Sequence, residues 1–107
     1  MVKEMTPREF VERRAAGAEM TLLDVREEWE TTLASAPSGI LHIPMGQVAD
    51  RLGELDPHRA TVVICRSGGR SAEVARFLSS QGFGSVYNLT GGILAWSRDF
   101  DPRIPQY

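Results

Sequence analysis

The segment from Thr61 to Gln81 constrains the fold more than any other part of this sequence. Thr61-Val62-Val63-Ile64 is a β-branched run of strand length, the pattern of a strand covered on both faces. It passes through Cys65-Arg66-Ser67-Gly68-Gly69-Arg70 into a helix expected over about Ser71 to Gln81. That helix carries Val74, Ala75, Phe77 and Leu78 and is stopped by Gly82. Ser85-Val86-Tyr87-Asn88-Leu89 then reads as the next strand. A covered strand, a helix and another strand make a crossover long enough for a parallel connection.

The rest of the chain repeats that alternation. Thr6-Pro7-Arg8-Glu9 reads as a helix start, with Thr6 as N-cap, Pro7 in the first turn and Glu9 closing a capping box. The N-terminal residues before it lead directly into this helix, which Gly17 ends. Thr21 to Val25 is a strand and Glu27 to Leu33 a helix, with Trp29 and Leu33 on one face. Ile40 to Ile43 is a short strand closed by Pro44, and Val48, Leu52 and Leu55 suit a short amphipathic helix. Ile93 to Trp96 begins a final helix. Trp29, Trp96, Phe77 and Phe83 read as core or rim packing, and Glu27, Glu28 and Glu30 as a solvated helix face. With 107 residues, the chain is one domain, 1–107, of α/β class with a mainly parallel sheet. Ligands of such sheets gather at the carboxyl ends of the strands, and only the strand ending at Cys65 carries an obvious reactive group there.

Charge and cysteine count exclude several classes of function. A formal net charge of −2 provides no global positive field for nucleic acid or anionic lipid. No apolar run approaches the ~18–20 residues needed to cross a bilayer, so no membrane partner is expected. A single cysteine forbids an intramolecular disulfide, and with His42 and His58 far apart in sequence it makes a poor zinc site. No metal and no cofactor are expected. The N-terminus offers no apolar signal segment, which places the protein in the cytoplasm, where a lone thiol stays reduced and free to react.

The residues around Cys65 give that thiol a purpose. Gly68 and Gly69 allow the backbone to curl until successive N–H groups point inward, forming an anion-binding nest. The following helix directs its positive N-terminal end at the same spot. Arg66 and Arg70 add charge, and the hydroxyls of Ser67 and Ser71 can donate hydrogen bonds. These groups favour a thiolate, and equally a bound oxyanion or an anionic persulfide. Cys65 is thus the candidate nucleophile, with Arg66, Ser67, Gly68, Gly69, Arg70 and Ser71 as substrate-binding residues.

Four segments in this order resemble the single-domain rhodaneses: Leu22-Leu23-Asp24-Val25-Arg26 before Glu27-Glu28-Trp29-Glu30; His42-Ile43-Pro44; the Cys65-to-Ser71 loop; and Gly91-Gly92-Ile93-Leu94-Ala95-Trp96. The resemblance implies a rhodanese-like fold, a parallel sheet of about five strands flanked by helices. It also implies a two-step cycle in which Cys65 takes sulfane sulfur from a donor such as thiosulfate and yields it to cyanide, a thiol or a protein acceptor. It further implies that Asp24 and Arg26 brace the cysteine loop, although by themselves they read equally well as a helix cap and a surface charge. The C-terminal residues 101–107, with Asn88 to Gly92, are similar to the ends of rhodanese domains attached to adenylating enzymes. That points to a sulfur-carrier protein as partner, with a reduced thioredoxin as another acceptor.

Two other functions fit the same residues. One is a rhodanese-fold binding module without turnover, against which the intact Cys65 loop argues. The other is a small cysteine phosphatase or arsenate reductase. Cysteine phosphatases place their arginine after five intervening residues, whereas Arg70 follows Cys65 after four. The smaller ring suits one terminal sulfur better than a tetrahedral phosphate. His42 and His58 read as structural or solvated residues and are assigned no role.

Overall fold

The structure, a computed structural model, describes residues 2–107. Its five strands are β1 (Val2–Met5), β2 (Met20–Asp24), β3 (Ile40–His42), β4 (Ala60–Ile64) and β5 (Val86–Leu89). They form one sheet in the order β1-β5-β4-β2-β3, with every neighbouring pair parallel. The helices are α1 (Pro7–Ala15), α2 (Glu28–Leu33), α3 (Gly69–Ser80) and α4 (Gly92–Asp99).

Alternation along the strands sorts the core into two layers. Val62, Ile64, Leu22 and Leu89 face one side, with Phe10 of α1 and Ile93 and Trp96 of α4. Val63, Cys65, Leu23 and Val86 face the other, with Val74, Ala75 and Leu78 of α3. The expected capping box of α1 is present: Thr6 Oγ1 accepts from the Glu9 N–H, and the Glu9 carboxylate accepts from the Thr6 N–H.

Three local expectations are corrected. The N-terminal residues do not lead straight into α1 but first form β1, an edge strand with only Met5 buried, paired with β5 through Val2↔Val86 and Glu4↔Asn88. The expected helix around Val48 to Leu55 is two 3-10 segments, Met45–Gln47 and Ala49–Glu54, with a non-helical residue at Arg51. Gly46 and Gly53 lower the helix propensity of this stretch. Finally, the buried stripe of α2 runs through Glu30 and Ala34, one position beyond the expected Trp29–Leu33 stripe. Trp29 is 62% exposed and Leu33 48%, whereas Glu30, read as part of a solvated face, is 3% exposed.

Candidate active site at the end of β4

Cys65 follows the last residue of β4, and the chain then turns through Gly68 into α3. Gly68 has φ +110°, a conformation in which a side chain is strained. This turn aims donors at the sulfur. The N–H of Gly68 donates to Sγ over 3.1 Å and that of Ser71 over 3.4 Å, while Ser71 Oγ lies 3.2 Å away. Burial pushes the Cys65 thiol up, but hydrogen bonds from the Ser71 side chain and from the N–H groups of Ser71, Gly68 and Ser67 outweigh it and hold the thiol below its ordinary value.

A second glycine turn supports the first from behind. Ile93 N–H donates to Cys65 O over 2.8 Å, and Leu94 N–H to Arg66 O over 3.1 Å. The first free amides of α4 are therefore spent on the carbonyls of the cysteine loop. A Cβ added at Gly92 would lie 2.5 Å from both of those carbonyl oxygens, so the approach requires glycine.

The two arginines of the loop are not equivalent. Arg70 binds Glu30 through two bonds, Nη1 to Oε2 at 2.6 Å and Nη2 to Oε1 at 2.8 Å, the paired geometry that suits guanidinium and carboxylate. These bonds, against the opposing effect of burial and with help from the Glu27 N–H and the Tyr107 hydroxyl, hold Glu30 down at about 2. The Arg70 guanidinium is in turn held more firmly protonated, by Glu30 first and also by the nearby Cys65 sulfur. Arg66 points elsewhere: its Nε and Nη2 both donate to the main-chain oxygen of Tyr107, and its guanidinium carbon lies 5.2 Å from the Tyr107 ring centroid. Ser67 and Gly69 are exposed, and the nearby Ser67 N–H adds the smallest of the effects that favour the thiolate.

Asp24 and Arg26 are 1% and 0% exposed, so neither is a surface charge. Arg26 Nε lies 3.1 Å from both Asp24 oxygens, and Nη2 lies 2.9 Å from Oδ2. Their connection to the cysteine loop is indirect. Arg26 Nη1 donates to the Tyr107 hydroxyl over 3.1 Å, that hydroxyl donates to Glu30 Oε1 over 2.9 Å, and Glu30 holds Arg70. His42 Nε2 lies 2.7 Å from Arg26 O, which can only accept, so the histidine donates there and steadies this backbone. His58 is exposed in a turn.

Sequence reasoning missed three participants. Glu30 had a signal, since Glu27-Glu28-Trp29-Glu30 places a glutamate where a capping box closes, and its carboxylate does accept from the Glu27 N–H. Asn88 had one too, as an amide between the apolar residues of β5. Tyr107 lies in an extended tail and had none.

Known proteins resemble this chain over most of its length. The model of the rhodanese-like domain matches residues 6–99. The chain is 37% identical over 104 residues to a sulfurtransferase of Allochromatium vinosum, covering 97% of this chain and 96% of that protein. It is 48% identical over 93 residues to the rhodanese-like/PpiC domain-containing protein 12 of Arabidopsis thaliana, covering 83% of this chain but about a third (31%) of the plant protein. It is 34% identical to the adenylyltransferase and sulfurtransferase MOCS3-1 of Zea mays, of which it spans 23%. A rhodanese-like domain protein from Staphylococcus aureus superposes with a TM-score of 0.80 at 29% identity, over 88% of this chain and 90% of that one. The likeness thus covers nearly the whole length of this chain and of a sulfurtransferase, and the chain belongs to the rhodanese-like family.

Proposed function

We propose that this protein is a sulfurtransferase that carries sulfane sulfur on Cys65. The observation that carries the reading is the set of N–H donors converging on Sγ at the mouth of α3. In the first half-reaction the Cys65 thiolate attacks the outer sulfur of thiosulfate. A new S–S bond forms, the S–S bond of thiosulfate breaks, and sulfite leaves with the electron pair. In the second, an acceptor thiolate or cyanide attacks the outer sulfur of the persulfide and Cys65 departs as thiolate. With a single cysteine the persulfide has no internal thiol to resolve it, so sulfur leaves to an external acceptor. Likeness to an adenylyltransferase and sulfurtransferase favours a sulfur-carrier protein in that place, with thioredoxin as a further thiol acceptor. A reducing cytoplasm keeps the thiol available.

Among the loop residues, the backbone of Gly68 and Ser71 serves the sulfur directly with the Ser67 N–H in support, Gly69 starts the helix, and Arg70 supplies charge from its seat on Glu30. Arg66 would meet an incoming anion by leaving Tyr107. Asp24 and Arg26 support the loop through Tyr107 and Glu30.

Intact mass spectrometry after incubation with thiosulfate tests the reading. The protein gains one sulfur atom, loses it to cyanide, and Cys65→Ser gains none. A wild-type protein that is never modified leaves a binding module. Hydrolysis of aryl phosphates without sulfur transfer would assign the cradle to phosphate.

A further inference from the structure

The hydroxyl of Ser71 faces two acceptors and owns one proton. Its Oγ lies 3.2 Å from Cys65 Sγ and 2.5 Å from Asn88 Oδ1. The orientation of the Asn88 amide is settled by its other end. Nδ2 lies 3.2 Å from Gly68 O and 3.3–3.4 Å from the two Glu4 carboxylate oxygens, all of which only accept. The atom facing Ser71 is therefore the amide oxygen, and the Ser71 proton is donated to it. Register explains the meeting: Asn88 pairs with Glu4 on one side and Val63 on the other, and all three point to the α3 side of the sheet, as does Cys65.

We propose that Asn88 is a positioning residue that competes with the Cys65 sulfur for the single proton of Ser71 and so limits how readily Cys65 ionises. With a neutral thiol, S–H donates to Ser71 Oγ and Ser71 donates to Asn88, and every group is satisfied. Ionisation removes the thiol proton and turns the Ser71 hydroxyl toward the sulfur. Asn88 Oδ1, in a residue 6% exposed, then loses the bond it had from Ser71. The restraint serves sulfur transfer, because a thiolate stabilised too far becomes a poorer nucleophile. Once the outer sulfur is loaded, Sγ carries no charge and the proton returns to Asn88.

Other charges around the sulfur are committed elsewhere. Arg70 of α3 is held by Glu30 of α2, Arg66 by Tyr107, and Asp24 of β2 by Arg26. Glu4 of β1 accepts from Asn88 Nδ2 and from Thr90 Oγ1 at 3.0 Å. Among the described residues no carboxylate is bonded to Sγ.

The inference rests on the sulfurtransferase reading for its purpose, but its test needs no sulfur transfer. The rate of alkylation by iodoacetamide, followed against pH, reports the only thiol. Asn88→Leu lowers the midpoint by up to about one pH unit, the worth of one hydrogen bond. It also lowers the high-pH plateau by about threefold, because the freed thiolate is the weaker nucleophile. Ser71→Ala raises the midpoint, and in Ser71→Ala protein the further change Asn88→Leu has no effect. If Asn88→Leu does not fold, Asn88→Asp gives the opposite result, a raised midpoint that is smaller in Ser71→Ala protein. A midpoint unchanged or raised in Asn88→Leu would overturn the proposal. So would a shift that persists without the Ser71 hydroxyl, since Asn88 would then act through Gly68 O alone. Neither result bears on whether thiosulfate loads Cys65.

Discussion

Two neighbouring strands of this sheet end in turns of the same make, and the turns do opposite things. After β4 the chain passes a glycine at positive φ, Gly68, and enters α3; after β5 it passes two, Gly91 and Gly92, and enters α4. In the first turn the free amides point at a sulfur atom. In the second they point at carbonyl oxygens of the first, those of Cys65 and Arg66. The surroundings differ accordingly. A Cβ on Gly68 would meet its nearest neighbour at 3.6 Å, while one on Gly92 would meet two carbonyl oxygens at 2.5 Å. A helix N-terminus preceded by glycine has donors to give, and the atoms lying opposite those donors decide whether it binds a ligand or holds another loop.

The sharpest way to break this comparison is Gly92→Ala. The added carbon enters the backbone of the cysteine turn at φ +62°, and the fold loses at least about 3 kcal/mol. Urea denaturation measures it; a variant as stable as wild type would show that α4 does not fix the position of the cysteine turn.

A smaller effect concerns help that the first turn takes from α2 and the second does without. Glu30 sits at about 2 in the folded protein against an ordinary 4.5. Its pairing with Arg70 therefore contributes fully above pH 4.5 and is lost as pH falls from there toward 2, for about 2 kcal/mol after allowance for the partial exposure of Arg70. In urea midpoints taken between pH 6 and pH 2.5, Glu30→Gln is less stable than wild type at the upper end and the two curves converge at the lower. Parallel curves would remove Glu30 from the bracing of the loop.

The mildest test lies within one turn. Gly68→Ala, strained by its positive φ but not crowded, costs about 1 kcal/mol and slows thiosulfate loading of Cys65. Gly69→Ala meets nothing within 4 Å at a helical position and stays within about 0.5 kcal/mol of wild type, with loading preserved. Equal effects at the two positions would mean that the left-handed residue has no special part in aiming the amides.

The first turn was legible in the sequence because its signals are local: a β-branched run, a cysteine, two glycines and the start of a helix lie within one short segment. The central strands were legible for the same reason, as unbroken apolar runs. β1 was not, because an edge strand such as Val2-Lys3-Glu4-Met5 buries little and shows no such run. The supporting network was hidden by distance. Glu30 reads as one of three like charges until Arg70, 40 residues on, reaches it. Arg66 reads as a cradle residue until Tyr107, 41 residues on, draws it aside. Asp24 and Arg26 stand in an ambiguous position in sequence; in the fold both are buried, Asp24 bonded by Arg26 and Arg26 in turn by Tyr107 and the Glu30 carbonyl.

The position of β1 has a consequence for the order in which the protein can be made. Glu4 and Asn88 are 84 residues apart, and their strands can pair only after β5 has been synthesised. Contacts of such long range are late and slow to close. Until they close, the Asn88 amide lacks the two Glu4 oxygens and its Nδ2 is held by Gly68 O alone, so the acceptor that faces Ser71 is less firmly fixed. A chain with the cysteine turn formed but β1 unpaired therefore carries a less restrained thiol at Cys65, one that ionises at lower pH. The fully restrained one arises when β1 pairs with β5, so chemical reactivity at a single cysteine becomes a marker of that pairing.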